Sequence, residues 1–413
     1  MTHVHLVGSV ALDSPEQTFA LAGELLGPYL KRVPDGEPGG RRLWISWQIP
    51  VLRANPGLRP ANPGAGALQL VPLRLAEGMA PEELRFGELG YAREARPSYE
   101  DFLAARGAGQ LPPGVRFQVA LPTPYAVISS FCTPEDAPQI LPAYERAMLG
   151  EVERICAAIP HQDLALQWDV CIEMVQWDGR WELAPPFPGM EQVFAAMFQR
   201  LSRAVPSGVE LGIHLCYGDL DARHFVQPVD ATRMVELANL IASSAGRPLA
   251  YVHLPVPSDR DDGAFFAPLQ GLRLAADTEL YLGLVHGQRR RGGDETPHAG
   301  RPILRTRVRH RVRVRHLPGP GRQRGRRLLP CLRQRRRGRT GIGTGAQSST
   351  RALTLSTHTI TAITNGHRLR AGPTLSWVHQ LAEPRDPSGT EGGMFDDVSS
   401  RRGCRATVAA RCA

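Results

Sequence analysis

The strongest constraint on this chain's fold is a set of near-continuous apolar runs, rich in β-branched residues, that recur through its first 288 positions. They cover 4–10, 115–122, 163–170, 210–217, 248–256 and 279–286, with a weaker one at Arg32–Val33 just before Asp35-Gly36-Glu37. Strands that are apolar at nearly every position suit a sheet covered on both faces, the usual condition of a parallel sheet. Between the runs lie segments of helical spacing at 14–30, 133–158, 189–204 and 230–245. The first opens on Ser14-Pro15-Glu16, which offers an N-cap, a proline suited to the first helical position and an early acid. Thr133-Pro134-Glu135-Asp136 and Asp230 are further candidate starts. Such alternation predicts an α/β fold with a parallel sheet. The Gly36-Glu37-Pro38-Gly39-Gly40 turn lacks the spacing of a dinucleotide fingerprint, so a (β/α)8 TIM barrel fits better than a doubly wound sheet. Seven strands can be counted, which predicts an incomplete barrel with its first and seventh strands left as open edges.

Charge divides the chain in two. The whole sequence of 413 residues carries +9, yet the stretch from Arg289 to Arg339 holds nineteen arginines against Asp294 and Glu295. That stretch alone is +17, and the other 362 residues sum to −8. The expected organisation is therefore a barrel domain over 1–288 and a basic, largely disordered tail over 289–413. Three readings of the arginine run compete: a nucleic-acid arm, a solvated tail, and translation out of frame. The run lacks the interleaved aromatics of a nucleic-acid binder, which ranks that reading last. Codons of the CGN type read one base later become GNC, and the shifted frame permits an apolar strand ending in Glu-Cys-Gly. A frame slip would thus supply the missing eighth strand. Seven sparse cysteines indicate no disulfide framework and suit a reducing cytoplasm. No apolar run approaches a membrane span and no secretory leader is evident.

Polar residues gather at the C-terminal ends of the expected strands, where barrels keep their active sites. His214 and Cys216 stand two apart on one strand, so both side chains face the same way, and imidazole and thiolate are ligands that zinc prefers. They can equally be ordinary buried residues. His253, one strand on, is a third ligand or a core histidine. His286, at the end of the seventh strand, is a general acid or base or a loop histidine. Asp169 is a ligand-binding carboxylate or a helix cap, and Glu37 a site residue or an exposed loop acid. The Gly8-Ser9 turn can offer backbone N–H groups to a carboxylate or be a plain turn. Cys132, Cys156 and Cys171 read as small buried hydrophobes. Trp44, Trp47, Trp168 and Trp177 could line a flat-ligand pocket or pack the core.

Taken together, these pieces resemble the catalytic C-terminal barrel of the cobalamin-independent methionine synthase family, over roughly residues 4–287. Val7-Gly8-Ser9 resembles the family's Ile-Gly-Ser, which implies binding of the amino-acid end of homocysteine. Gly36-Glu37-Pro38 resembles its His-Gly-Glu-Pro segment, implying that Glu37 meets the substrate amino group. Leu121-Pro122-Thr123-Pro124 is similar to its Leu-Thr-Gly-Pro turn, and Gln167-Trp168-Asp169 to its Gln-Val-Asp, making Asp169 a second substrate contact. His214-Leu215-Cys216-Tyr217 resembles the His-x-Cys-Tyr zinc motif, and His286 falls where the family keeps a catalytic histidine. The departures are specific. The family's third zinc ligand is a Glu where this strand offers His253, and the fourth, a cysteine, has no counterpart in frame. Val175 stands at the spacing of the folate-binding Glu, so methyltetrahydrofolate is not carried over as methyl donor.

The resemblance implies a zinc-dependent methyltransferase acting on a thiol such as homocysteine, with a separate methyl donor. Without its last strand and ligand, the chain as written is expected to bind zinc poorly and to be impaired. The alternative is a metal-free small-molecule-binding or lyase-type barrel without methyl transfer.

Overall fold

A computed structural model describes residues 3–62, 71–218 and 223–285. Eight strands and nine α-helices make up this part: β1 (Arg32–Pro34), β2 (Leu58–Pro60), β3 (Leu73–Leu75), β4 (Arg116–Pro122), β5 (Leu164–Val170), β6 (Glu210–Leu215), β7 (Tyr251–Pro255) and β8 (Glu279–Gly283), with α1 (Pro15–Leu26), α2 (Ile49–Arg53), α3 (Tyr91–Gly107), α4 (Pro124–Phe131), α5 (Ala137–Ala158), α6 (Ile172–Asp178), α7 (Met190–Arg203), α8 (Thr232–Ser244) and α9 (Gly263–Phe266). Six strands form one parallel sheet in the order β1-β4-β5-β6-β7-β8, while β2 and β3 form a separate antiparallel pair. The sheet curls into a half-barrel compatible with an incomplete TIM-like barrel.

Strand alternation sorts each strand's side chains between the two faces. Phe117, Leu121, Leu166, Ile213 and Val252 are buried in the core that the sheet shares with its helices. The opposite residues line the hollow of the curl and include a polar set. Gln118, Gln167, Asp169, His214 and His253 are all buried there. One crossing of the sheet depends on a glycine: a Cβ at Gly212 would lie 2.0 Å from the Tyr251 ring, its register partner on β7.

Arg32 stitches the floor of the hollow. Only 4% exposed, it pairs with Glu210 of β6 and at 2.9 Å with Glu279 of β8, and its guanidinium lies 4.3 Å from the centre of the Tyr251 ring. The first strand of the sheet is thereby tied to the last. Lys31 adds a second link to Glu279.

Helix starts follow their local chemistry. Ser14 caps α1 through a 3.4 Å bond from the Gln17 N–H, and Thr123 caps α4 through one of 3.0 Å from Ala126. The start of α3 has no such side chain at its own N-cap, Gly90. A distant acid replaces it: Glu151 of α5, fully buried, accepts the N–H groups of Leu89 at 2.7 Å and Ala92 at 2.6 Å.

The sequence expectations need correction in several places. The run 4–10 is not a ladder strand; it makes one bridge, Val4 to Leu30, and Gln118 and Gln167 side chains take up its Leu6 and Val7 carbonyls. With no strand among the described residues on its far side, the run settles into the hollow instead. The run 210–217 stops as a strand at Leu215, so Cys216 lies just beyond β6. Helices α3, α4 and α6 and the β2–β3 pair were not foreseen, and the expected helix 133–158 begins at Ala137. The basic segment and its readings lie outside the described residues. Among those residues, no helix is long and apolar enough to cross a membrane.

Glu151→Ala would leave several buried N–H groups without an acceptor, so it should cost about 3 kcal/mol or more. Urea denaturation of the variant against the parent chain measures this, and a change within 0.5 kcal/mol (about the level of an ordinary surface substitution) would contradict it.

Candidate functional site

The mouth of the hollow is assembled in a register row. Pro122 of β4, Asp169 of β5, His214 of β6, His253 of β7 and Tyr281 of β8 are successive partners across the sheet. Side chains in one row of a parallel sheet share a face, so residues far apart in sequence become neighbours. Asp169 Oδ1 accepts from Gln167 Nε2 at 2.8 Å. Next to it, the Nδ1 atoms of His214 and His253 are 2.8 Å apart, one donating to the other. Gln167 Oε1 in turn lies 2.9 Å from His5 Nε2 and accepts the Tyr251 hydroxyl at 3.2 Å.

A second group closes over this row from β1. Asp35 accepts the Glu37 N–H at 2.9 Å and the Ser98 hydroxyl at 2.7 Å, and it pairs with Arg41 at 2.7 Å. This fixes a tight turn in which Gly36 has φ +84° and Glu37 itself φ +51°. A Cβ at Gly36 would meet Thr18 Oγ1 at 2.5 Å, so both space and backbone demand glycine. A non-glycine residue in the left-handed region costs energy and persists where its surroundings enforce it, often at functional sites. Here the turn aims Glu37 inward. Its carboxylate accepts the Ser9 hydroxyl and lies over Gly8, whose Cβ would be 3.5 Å from Glu37 Oε1. Trp44, also at positive φ, reaches Asp169.

Burial dominates the electrostatics. The enclosed carboxyl end of Glu37 is pushed up to about 7 by desolvation, with Ser9 pulling the other way and Asp35 adding to the rise. Asp169 is raised well above the carboxylate range, first by burial and then by the neighbouring Glu37, with Gln167 pulling the other way. His214 is held well below its usual value by burial and by His253, and His253 is pushed down to about 3 by burial alone. At neutral pH the imidazoles are therefore uncharged. Among the described residues, neither Glu37 nor Asp169 forms an ion pair. Thr123 and α6 add a further buried acid: Glu173 accepts the Thr123 hydroxyl and is raised to about 7 by desolvation.

The structure thus brings Gly8, Ser9 and Glu37 into one contact group and Asp169, His214 and His253 into one row. Cys216 is half-buried, and its sulfur accepts the Gly218 N–H at 3.3 Å. His286 lies outside the described residues. Trp47 stands against Tyr91 with ring centres 4.7 Å apart, whereas Trp168 is buried on the face of β5 opposite Asp169. Cys132 and Cys156 are buried, their thiols raised to about 12 and about 11 by desolvation. His5, Gln118 and Gln167 were missed as site residues. Glutamine inside an otherwise apolar strand was the available signal for two of them, because such a side chain needs a partner.

Imidazole and thiol are donor types that suit zinc. Their placement is another matter. His214 and His253 spend facing nitrogens on each other, and among the described residues no three His, Cys, Asp or Glu side chains group to hold a metal.

Neither a family model nor a curated protein matches this chain. Among solved structures it is similar to one from Listeria monocytogenes named as a putative vitamin-B12 independent methionine synthase, at 13% identity and a TM-score of 0.39, over 68% of this chain and 72% of that one. A likeness at that level carries no argument about the activity.

The Glu37 carboxyl yields a pH test. Because its pKa is higher folded than unfolded, the stability it contributes is present below about pH 4.5 and is lost as pH rises through about 7. Glu37→Gln should remove that loss, so that the variant gains on the parent chain between pH 5 and 8 (roughly the span of the shift) in urea midpoints. Parallel profiles for the two proteins would contradict it.

Proposed function

We propose that this chain is a methyltransferase-like barrel acting on an amino-acid thiol such as homocysteine, and that the described residues supply its amino-acid-binding half. One observation carries the reading: the half-buried Glu37 carboxyl lies close enough to the buried Asp169 to raise it, and among the described residues neither forms an ion pair. A ligand ammonium would favour the ionised form of both and relieve their mutual repulsion. Ser9 fixes the Glu37 carboxylate, and Gly8 leaves the space beside it open. Asp169 shares its register row with His214 and His253, so a short amino acid held there extends along the imidazoles. The motif resemblances of Val7-Gly8-Ser9, Gly36-Glu37-Pro38 and His214-Leu215-Cys216-Tyr217 support the same reading.

Zinc belongs to this proposal through His214, Cys216 and His253, and when bound it would keep a thiol deprotonated at neutral pH. The two histidines would first have to give up their mutual hydrogen bond. That bond favours a second reading, a metal-free small-molecule site in the same hollow.

Two measurements on the full chain separate these readings. L-homocysteine should bind at least tenfold more tightly than 4-mercaptobutanoate, which lacks the amine, and Glu37→Gln and Asp169→Asn should each remove most of the difference, about 1.4 kcal/mol per tenfold. Affinity should rise as pH climbs through about 7, where Glu37 ionises. Equal affinity for the two compounds overturns the amino-acid reading. Stoichiometric zinc that is lost in Cys216→Ser supports the methyltransferase; homocysteine binding by zinc-free protein that Cys216→Ser leaves unchanged supports the second reading.

A further inference from the structure

The parallel register of β5 with β6 runs from Ala165 beside Glu210 to Val170 beside Leu215. The Cys216 N–H then donates to the Val170 carbonyl at 3.0 Å, so the two chains are still side by side where the strands end. Cys171 and Cys216 follow as the next pair in register, each the first residue past its strand. Neighbouring strands lie about 4.8 Å apart, inside the Cα separation of about 4.4–6.8 Å that a disulfide spans. Cys171 has already turned out of the extended conformation, at φ −107° and ψ −62°, to cap α6, so the strict pleat of the sheet no longer governs the pair.

Both side chains belong to the hollow. Alternation puts Gln167 and Asp169 on that face, and Cys171 follows them. It is 3% exposed, yet it is buried outside the apolar core, as are the hollow-facing Ala165 and Tyr251, whereas its neighbours Val170 and Ile172 pack within that core. Cys216 follows His214 in the same way, and its sulfur is close enough to Asp169 for the two to repel when ionised. Access separates the two residues. Cys216 is half-buried, with the Gly218 N–H donating to its sulfur at 3.3 Å, while Cys171 is enclosed behind it. Both are in the thiol form. An accessible thiol backed by a buried one is the arrangement in which the first meets an oxidant and the second resolves it.

We propose that Cys171 and Cys216 form a redox site, in which a peroxide oxidises Cys216 and Cys171 converts the product to a disulfide. The Cys216 sulfur attacks one peroxide oxygen and gives up its proton. The O–O bond breaks, the attacked oxygen stays on sulfur as a sulfenic acid, and the other leaves with that proton as water. The Cys171 sulfur then attacks the Cys216 sulfur, the S–O bond breaks, and a second water departs with the Cys171 proton. The two thiols lose two electrons and the peroxide gains them; an external dithiol reverses the change by exchange. Oxidation takes the Cys216 sulfur out of the candidate site whatever ligand that site holds, so the proposal does not rest on the amino-acid reading.

The test treats the full chain with hydrogen peroxide, alkylates the remaining thiols, digests with trypsin and maps the products by mass spectrometry. Cleavage after arginine places Cys171 in the peptide 155–180, together with Cys156, and Cys216 in the peptide 204–223. The two peptides should be joined, with fragmentation assigning the link to Cys171, and dithiothreitol should part them. Peroxide treatment in urea, where the register is lost, should give at least tenfold less of this link. Cys171→Ser should abolish it and raise the sulfinic acid at Cys216 at least tenfold, because nothing then intercepts the sulfenic acid. The mapping of the parent chain needs no variant, so a folding defect in Cys171→Ser leaves the test intact. The proposal is overturned if peroxide leaves both thiols of the parent chain open to alkylation, if Cys216 passes to sulfinic acid while Cys171 is still alkylated, or if Cys216 links instead to another cysteine.

Discussion

The Arg32 guanidinium at the floor of the hollow is the contact on which the rest of the described structure depends. An open parallel sheet has no intrinsic reason to curl back on itself, and a closed barrel obtains its curvature from the ladder that joins its last strand to its first. Here side chains do that work. Arg32 on β1 reaches Glu210 on β6 and Glu279 on β8, and it lies against the Tyr251 ring between them. A buried cation with two acids and an aromatic face has its charge answered from several directions. Removal of the cation alone would leave two clustered acids without it, the costly way to break such a group.

That curl decides where the unpaired N-terminal run goes. Its carbonyls cannot stay bare in the hollow, and they are answered by glutamine side chains rather than by a strand. The same two glutamines then shape the site. Gln167 holds Asp169 and meets His5, while Gln118 keeps its remaining oxygen buried and without a hydrogen-bond partner. Structural satisfaction and the candidate site therefore share residues, and the left-handed turn at Glu37 is enforced by the Asp35 network that anchors it to α3.

Much of the fold was legible because burial on both faces writes itself into a strand as continuous apolar sequence. The runs that became β4, β5, β6, β7 and β8 were found for that reason, and the helix opening at Ser14-Pro15 because its cap is local. The start of α3 was not legible, since its cap is Glu151, about sixty residues away. Of the candidate site, the motif residues Gly8, Ser9, Glu37, Asp169, His214, Cys216 and His253 could be nominated from residue type and position. Their grouping could not. Whether His214 and His253 would face a metal or each other depends on register, which no local pattern carries.

What the sequence alone determined is the alternation of strand and helix, the polarity at the strand ends and the contrast between a basic segment and an acidic remainder. Each is fixed by the periodicity and charge of neighbouring residues. Only the tertiary structure decided that the first run leaves the ladder, that Arg32 ties the two ends of the curl, and that Glu37 comes close enough to raise Asp169. Those outcomes depend on which distant groups can satisfy a buried charge or carbonyl, and that is settled when the sheet folds around them.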